Sequence, residues 1–308
     1  MQQNNGSPRQ EIIDKLVSTN ASIASKYFYD TLGSRLFELI TRLPEYYPTR
    51  TEQALIHLHA DAIARSVGSD AVLVDLGAGN CEKARALFPA LKPRQYVAVD
   101  ISTEFLEDAL CGLQEEFPDI HMLAVDADLS VDLVLPAPVH AEPRVFFYPG
   151  SSIGNFDVED AVALLSRIRR LCTDTGGLLI GVDLIKGQAI LEAAYDDGLG
   201  ITAAFNRNVL NHLNRLIGSD FSLHDWKHRA LYNHAQSRIE MHLEAANDNV
   251  VSWPGGGRRF SAGERIHTEN SYKYRLDDFK AMLNRAGFSE IRAWTDEQAW
   301  FAVCYASV

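Results

Sequence analysis

Residues 72–85 read "VLVDLGAGNCEKAR". An apolar run carrying one acid, Asp75, has the composition of a buried strand. Gly77 and Gly79 follow one residue apart, and "EKAR" suits the start of a helix. A strand that turns through glycines into a helix opens the carboxyl edge of a sheet, where α/β proteins hold ligands. Around it, between residues 71 and 184, short apolar runs alternate with helical stretches: "AVLVDL", "QYVAVDI", "IHMLAVDAD", "RVFFYPG" and "GLLIGVDL". Strands this dense in Val, Leu and Ile predict a parallel sheet covered on both faces.

The flanks read differently. The first ten residues are polar and are expected to be disordered. "EIIDKLVSTN" and "SRLFELITRL" read as helices, followed by the loop "PEYYPTRTE". Thr49 and Glu52 fit a capping box that opens the helix "TEQALIHLHADAIARSV". Beyond Leu184, "AYDDGLGITAAFNRNVLNHLNRLIG" is a glycine turn feeding an amphipathic helix, with Phe205, Val209, Leu213 and Leu216 on one side. "SRIEMHLEA", "NVVSW", "PGGG" and "RRFSAGERIHTENSYKYR" read as antiparallel strands with tight turns. "LDDFKAMLNRAGF" is a helix, and "SEIRAWTD" with "QAWFAVCYAS" forms a terminal strand pair.

Five βα units closed by a helix and a hairpin are the layout of a class I methyltransferase sheet. That fold is Rossmann-like, mostly parallel, with its last strand antiparallel. Two domains are expected: residues 51–184 plus 274–308 for the sheet, and residues 11–50 plus 185–273 as an inserted α+β substrate or lid domain.

The net charge of −12 argues against a nucleic-acid partner, which needs a basic footprint. No apolar run suits a signal peptide or a bilayer span. Cys81, Cys111, Cys172 and Cys304 are scattered without a CxxC pair, as in a reducing compartment. A cytoplasmic monomer acting on a small molecule is expected. His57 and His59 are two apart on a helix and so point to different faces, which disfavours a metal.

A dinucleotide fingerprint requires a third glycine where Glu82 stands, and a carboxylate there opposes a pyrophosphate at the helix start. No Gly-Lys-Ser/Thr follows, which excludes a P-loop. S-adenosylmethionine has no phosphate; it needs glycines for backbone approach and acids for the ribose hydroxyls and adenine amine. Asp100, at the end of the second strand, and Asp128, at the end of the third, suit those two tasks. Asp75, Asp100 and Asp128 could each merely cap a strand or helix end, but three acids on successive strands favour a cofactor edge. Cys81 reads as helix packing, because no His accompanies it as a base.

The long motifs "YFYDTLGSRLFELITRLPEYYPTRTE" (27–52), "FYPGSSIGNF" (147–156), "AYDDGLGITAAFNRNVL" (194–210) and "TENSYKYR" (268–275) closely resemble the L-histidine Nα-methyltransferase family of ergothioneine biosynthesis. The resemblance spans nearly the whole chain. It implies three methyl transfers from S-adenosylmethionine to the α-amine of histidine, giving hercynine. It also implies that Tyr46, Asn155 and Tyr195 hold the amine and carboxylate, with Tyr46 and Asn155 closest to the chemistry. Tyr29 and Phe37 would wall the ring, Met241 would line the pocket, and Gly150 would leave room for a growing head group. Gly77, Gly79, Lys83, Asp100 and Asp128 match the cofactor positions. Leu129 stands beside Asp128 where relatives carry an aromatic residue.

Glu269 and Ser271, two apart on an expected strand, project from one face. A carboxylate accepts an imidazole N–H and a hydroxyl serves the other nitrogen, so the pair suits a histidine ring better than an indole. Without the resemblance, the pair reads as plain alternation on an edge strand; Met241 reads as core filler and the tyrosines as packing. Asn155 could be a left-handed turn residue. No general base stands out. The alternatives are an Nα-methyltransferase for another amino acid such as tryptophan, a non-catalytic S-adenosylmethionine-binding partner protein and, weaker still, a nicotinamide oxidoreductase.

Overall fold

The structure, a computed structural model, describes residues 8–68, 70–101, 103–129, 131, 133–137, 139, 143–172 and 174–308. The chain forms two compact units, one ending at Tyr46 and resuming over Gly187–Ser271, the other comprising Tyr47–Lys186 and Tyr272–Val308. The first unit opens with α1 (Pro8–Val17) and α2 (Thr31–Ile40). The second begins with α3 (Tyr47–Val67), β1 (Val72–Leu76), α4 (Glu82–Arg85), α5 (Phe88–Leu91) and β2 (Gln95–Asp100). It continues with α6 (Thr103–Glu116), β3 (His121–Asp126), β4 (Arg144–Tyr148), α7 (Val158–Leu171) and β5 (Gly177–Asp183). The chain then supplies the first unit with α8 (Gln188–Ala193), α9 (Ile201–Ile217), β6 (Trp226–Asn233), β7 (Arg238–Ala245), β8 (Asn249–Trp253), β9 (Gly256–Phe260) and β10 (Arg265–Tyr272). Finally α10 (Leu276–Arg285), β11 (Ile291–Thr295) and β12 (Phe301–Ser307) complete the second unit.

The second unit is built on a sheet of order β11-β12-β5-β4-β1-β2-β3. Its first five strands pair parallel, and β12 runs antiparallel to both β5 and β11. This is the mostly parallel class I methyltransferase sheet with its antiparallel closing strand. The reason is visible in β1. Val72, Val74 and Leu76 join the cluster of α7 and α10 residues Leu164, Leu165, Ile168, Phe279 and Leu283. Leu73, pointing the other way, joins Leu55, Ile56, Ile63, Phe88 and Leu106. Burial on both faces stabilises such side chains by about 1.5–3 kcal/mol each, and only helices on both sides provide it.

The first unit packs α9 on a sheet of order β10-β7-β6, with β8–β9 as a separate hairpin. In β7, Ile239, Met241, Leu243 and Ala245 are buried and alternate with more exposed residues, the period-2 signature of a sheet with one dry face.

Several expectations are corrected. Pro8–Gln10 belong to α1, so the polar start is helical from Pro8; residues 1–7 lie outside the described residues. On α9, Phe205, Val209 and Leu213 are buried, but Leu216 is 39% exposed and Ile217 takes the inner place, because 3.6 residues per turn carries a buried row of i, i+4 steps to 217. The helix expected from Thr51 starts at Tyr47, and Glu52 is no cap: it is fully buried, its carboxylate accepting the Gly150 N–H. β3 stops at Asp126, paired with Asp100, so Asp128 lies two residues beyond the strand. A strand over Trp226–Asn233 was not anticipated.

Candidate functional site

In the second unit, the turn after β1 is held open by positive φ at Gly77 (71°), Gly79 (53°) and Cys81 (60°). The Gly77 N–H donates to the Val99 carbonyl at 2.8 Å and the Gly79 N–H to Asp100 Oδ2 at 2.9 Å. Strand β2 and its terminal acid therefore fix the turn. A Cβ built on Gly77 or Gly79 meets no atom within 4 Å, so these glycines serve backbone conformation and leave open space at the sheet edge. A cradle of bare backbone with an acid beside it fits a ligand bearing hydroxyls and no phosphate. Cys81 is buried and its thiol is pushed up to about 12 by burial and by Asp75, which suits packing and not nucleophilic chemistry.

Asp75 is itself buried. Its Oδ2 accepts the Tyr96 hydroxyl at 2.8 Å, while Oδ1 has no hydrogen-bond partner among the described residues. Burial pushes this carboxyl up to about 7, against the Tyr96 bond and Lys83. Asp128 is half-buried past β3. Leu129 packs at the margin of the core, and its carbonyl accepts from Arg167 at 2.9 Å.

Lys83, on α4, pairs with Glu52 at 2.7 Å. Gly150 (φ 79°) and Ser151 (φ 57°) turn the chain after β4 into a short 3-10 helix, Ser152–Asn155. The left-handed residues there are Gly150 and Ser151, and Asn155 is not one of them. At the end of β5, the buried Asp183 accepts the Tyr47 hydroxyl (2.7 and 2.9 Å) and pairs with Lys186 (2.5 Å) and Lys273 (2.9 Å). Burial works to raise this carboxyl, but the two ammonium groups outweigh it and hold it below the usual range. This network carried no sequence signal beyond an acid closing a fifth apolar run.

In the first unit, aromatic rings form a chain. Tyr29 meets Phe37 edge-on at 5.8 Å, Phe37 meets Tyr46 at 6.2 Å, and Tyr46 meets Tyr195 at 6.1 Å. Phe205 of α9 lies 5.9 Å, centroid to centroid, from both Tyr29 and Phe37; its helical spacing alone points only to the helix core. The chain of rings ends on a polar pair, the Tyr195 hydroxyl lying 2.7 Å from Ser271 Oγ. Glu269 and Ser271 are both buried on β10. Met241 is buried within the β7 core row, and its carbonyl accepts the Thr268 hydroxyl.

Local devices hold these parts. Asp30 caps α2 through the Gly33 N–H at 2.7 Å, and a Cβ at Gly33 would stand 1.7 Å from the Phe28 carbonyl, so only glycine lets α2 and Phe37 sit there. Asp197 accepts the N–H groups of Ile201 and Thr202 and thereby caps α9. Asn206, fully buried, donates to His228 Nδ1 (2.8 Å) and accepts the Thr268 hydroxyl (2.8 Å). With Nδ1 accepting, His228 carries its proton on Nε2 and donates to the Tyr195 carbonyl at 2.8 Å. One asparagine thus ties the segment bearing Tyr195 to the strand bearing Glu269 and Ser271. No group of three or more His, Cys, Asp or Glu suited to a metal occurs among the described residues.

Comparison with known proteins adds to this geometry. Residues 8–308 match the model of a family described as histidine-specific, S-adenosylmethionine-dependent methyltransferases. The Histidine N-alpha-methyltransferase of Mycobacterium tuberculosis is 37% identical over 313 residues, spanning 97% of this chain and 94% of that one. Its namesake in Mycolicibacterium smegmatis is also 37% identical, with the same coverage. Ergothioneine biosynthesis protein 1 of Neurospora crassa is 32% identical over 87% of this chain and 31% of its own length.

Proposed function

Because the chain belongs to the S-adenosylmethionine-dependent histidine-specific methyltransferases, we propose that it methylates the α-amine of free L-histidine three times, giving hercynine, the first step toward ergothioneine. The single observation that carries this reading is the buried polar stretch of β10, where Glu269 and Ser271 stand two residues apart and the Tyr195 hydroxyl, at the end of the chain of rings, lies 2.7 Å from Ser271 Oγ. A carboxylate that accepts and a hydroxyl that donates or accepts suit the N–H and the second nitrogen of an imidazole.

In this reading Glu269 accepts one imidazole N–H and Ser271, steadied by Tyr195, serves the other nitrogen. Tyr29, Phe37 and Met241 enclose the ring. Tyr46 and Asn155 orient the α-amine, and Gly150 leaves space as methyl groups accumulate. Gly77, Gly79, Lys83, Asp100, Asp128 and Leu129 form the donor's side, with Asp100 taking the ribose hydroxyls and Asp128 the adenine amine. When bound, S-adenosylmethionine supplies a methyl carbon already activated by its sulfonium. The protein's residues therefore have to align the amine and exclude water. The α-amine must be neutral to react, so its proton has to pass to an acceptor before each transfer.

Among the described residues no helix is long and apolar enough to cross a membrane. The free cysteines support a cytoplasmic enzyme and the acidic charge supports a small-molecule substrate over a nucleic-acid partner; in this reading the enzyme acts as a monomer.

Glu269→Ala tests the reading. Histidine turnover should fall by about a hundredfold or more, because a site built to bond a substrate N–H discriminates strongly against its loss. Unchanged histidine kinetics would remove Glu269 from the ring pocket.

A further inference from the structure

Glu52 is a fully buried ionisable group on α3, and three other segments are shaped around it. Its Oε1 and Oε2 accept the Gly150 N–H at 2.8 and 2.9 Å, and Oε2 lies 2.7 Å from Lys83 Nζ. On β5, a Cβ at Gly181 would stand 1.8 Å from Oε1, so that position must be glycine for the carboxylate to fit. At Gly150, a Cβ would stand 3.0 Å from Lys83 Nζ. A carboxylate taken out of water is unfavourable unless charge and hydrogen bonds compensate. Helix α3 gains no cap from it, so its burial serves Lys83 and the turn at Gly150.

We propose that Glu52 is a positioning residue of the donor subsite that neutralises Lys83, so that a ligand carrying a carboxylate can bind that lysine while its sulfonium escapes an uncompensated positive charge. The proposal rests on the reading of Lys83 as a donor-binding residue. S-adenosylmethionine combines one carboxylate with an ammonium and a sulfonium, so it is net cationic. Lys83 alone attracts the carboxylate and repels the rest. With Glu52 paired to it, the cluster is neutral but keeps a donor for the carboxylate. Removing the charge of Glu52 must therefore penalise the sulfonium more than its neutral thioether counterpart.

The experiment is calorimetric binding of S-adenosylmethionine and of S-adenosylhomocysteine, without histidine, to the full chain. Glu52→Gln keeps one oxygen for the Gly150 N–H, replaces the other by an amide NH2 and removes the charge at nearly constant shape. It should weaken the sulfonium ligand about tenfold more than the thioether. Equal losses for both ligands would leave Glu52 a packing role and overturn the proposal. If the unsubstituted protein binds neither ligand, the donor-site reading itself fails, a distinct outcome. Should Glu52→Gln not fold, Lys83→Met supplies the converse readout. It removes the carboxylate's donor for both ligands but leaves the Glu52 charge uncompensated beside the sulfonium, so S-adenosylmethionine should lose severalfold less affinity than S-adenosylhomocysteine. Equal losses would contradict action through Lys83.

Discussion

The Tyr195 hydroxyl lies 2.7 Å from Ser271 Oγ, with both residues buried. Neither group is needed to fill space, and each orients the other. The carbonyl of Tyr195 is fixed separately by His228, so the ring approaches Ser271 from a held backbone. Tyr195→Phe keeps the packing and removes one member of the pair. Its KM for histidine should rise about tenfold, the loss expected of one buried hydrogen bond, while the KM for S-adenosylmethionine stays unchanged. Steady-state kinetics with each substrate varied separates the two. Equal effects on both would point to a folding defect and not to ring recognition.

Asp183 is the shared counter-charge of two buried lysines and the acceptor of the Tyr47 hydroxyl. Asp183→Asn leaves Lys186 and Lys273 facing each other without it. The variant should lose about 3–5 kcal/mol of stability, as when one partner of a buried pair is removed. Urea unfolding measures this. A loss below about 1 kcal/mol would show that the network is solvated in solution.

The pH dependence of stability follows from Asp75, whose carboxyl burial pushes up from 3.8 to about 7. The folded protein keeps that proton to about pH 7, whereas the unfolded chain loses it near pH 4. The folded state thus binds more protons in this window, and the stabilising share of the protonated form is lost as pH rises through it. The slope is at most about 1.4 kcal/mol per pH unit. Asp75→Asn does not titrate, so its stability relative to the unsubstituted protein should climb from about pH 4 to about pH 7 and then level off. Urea unfolding of both proteins across that range provides the test. A constant difference would mean that Asp75 is ionised throughout.

The sheet was legible because its strands are short runs of Val, Leu and Ile buried on both faces, a pattern no surface strand produces. The closing hairpin was legible because β11 and β12 are joined by a short polar turn after an amphipathic helix. β6 escaped because "WKHRALYN" mixes charges into its alternation, a pattern that becomes a strand only once β7 pairs with it. Leu216 was placed inward because a one-residue rotation on α9 changes its face, and the sequence offers both Leu216 and Ile217. Glu52 looked like a helix cap because its spacing from Thr49 fits one; only the tertiary contacts with Gly150 and Lys83 reveal its inward course. The candidate pocket residues were nameable mainly through long motifs resembling a known family. Their neighbours Phe205, Asn206 and Asp183 are ordinary residues in ordinary elements, and their roles arise from chain segments brought together across wide sequence separations.

Free histidine, incubated with the protein and S-adenosylmethionine and followed by mass spectrometry over time, offers the plainest test of the function. The expected course is one, then two, then three added methyl groups, with the trimethylated betaine accumulating at the end and tryptophan left unmodified. Histidine that stays unmethylated while the protein binds S-adenosylmethionine would contradict the account, and methyl groups appearing on another amino acid would reassign the pocket.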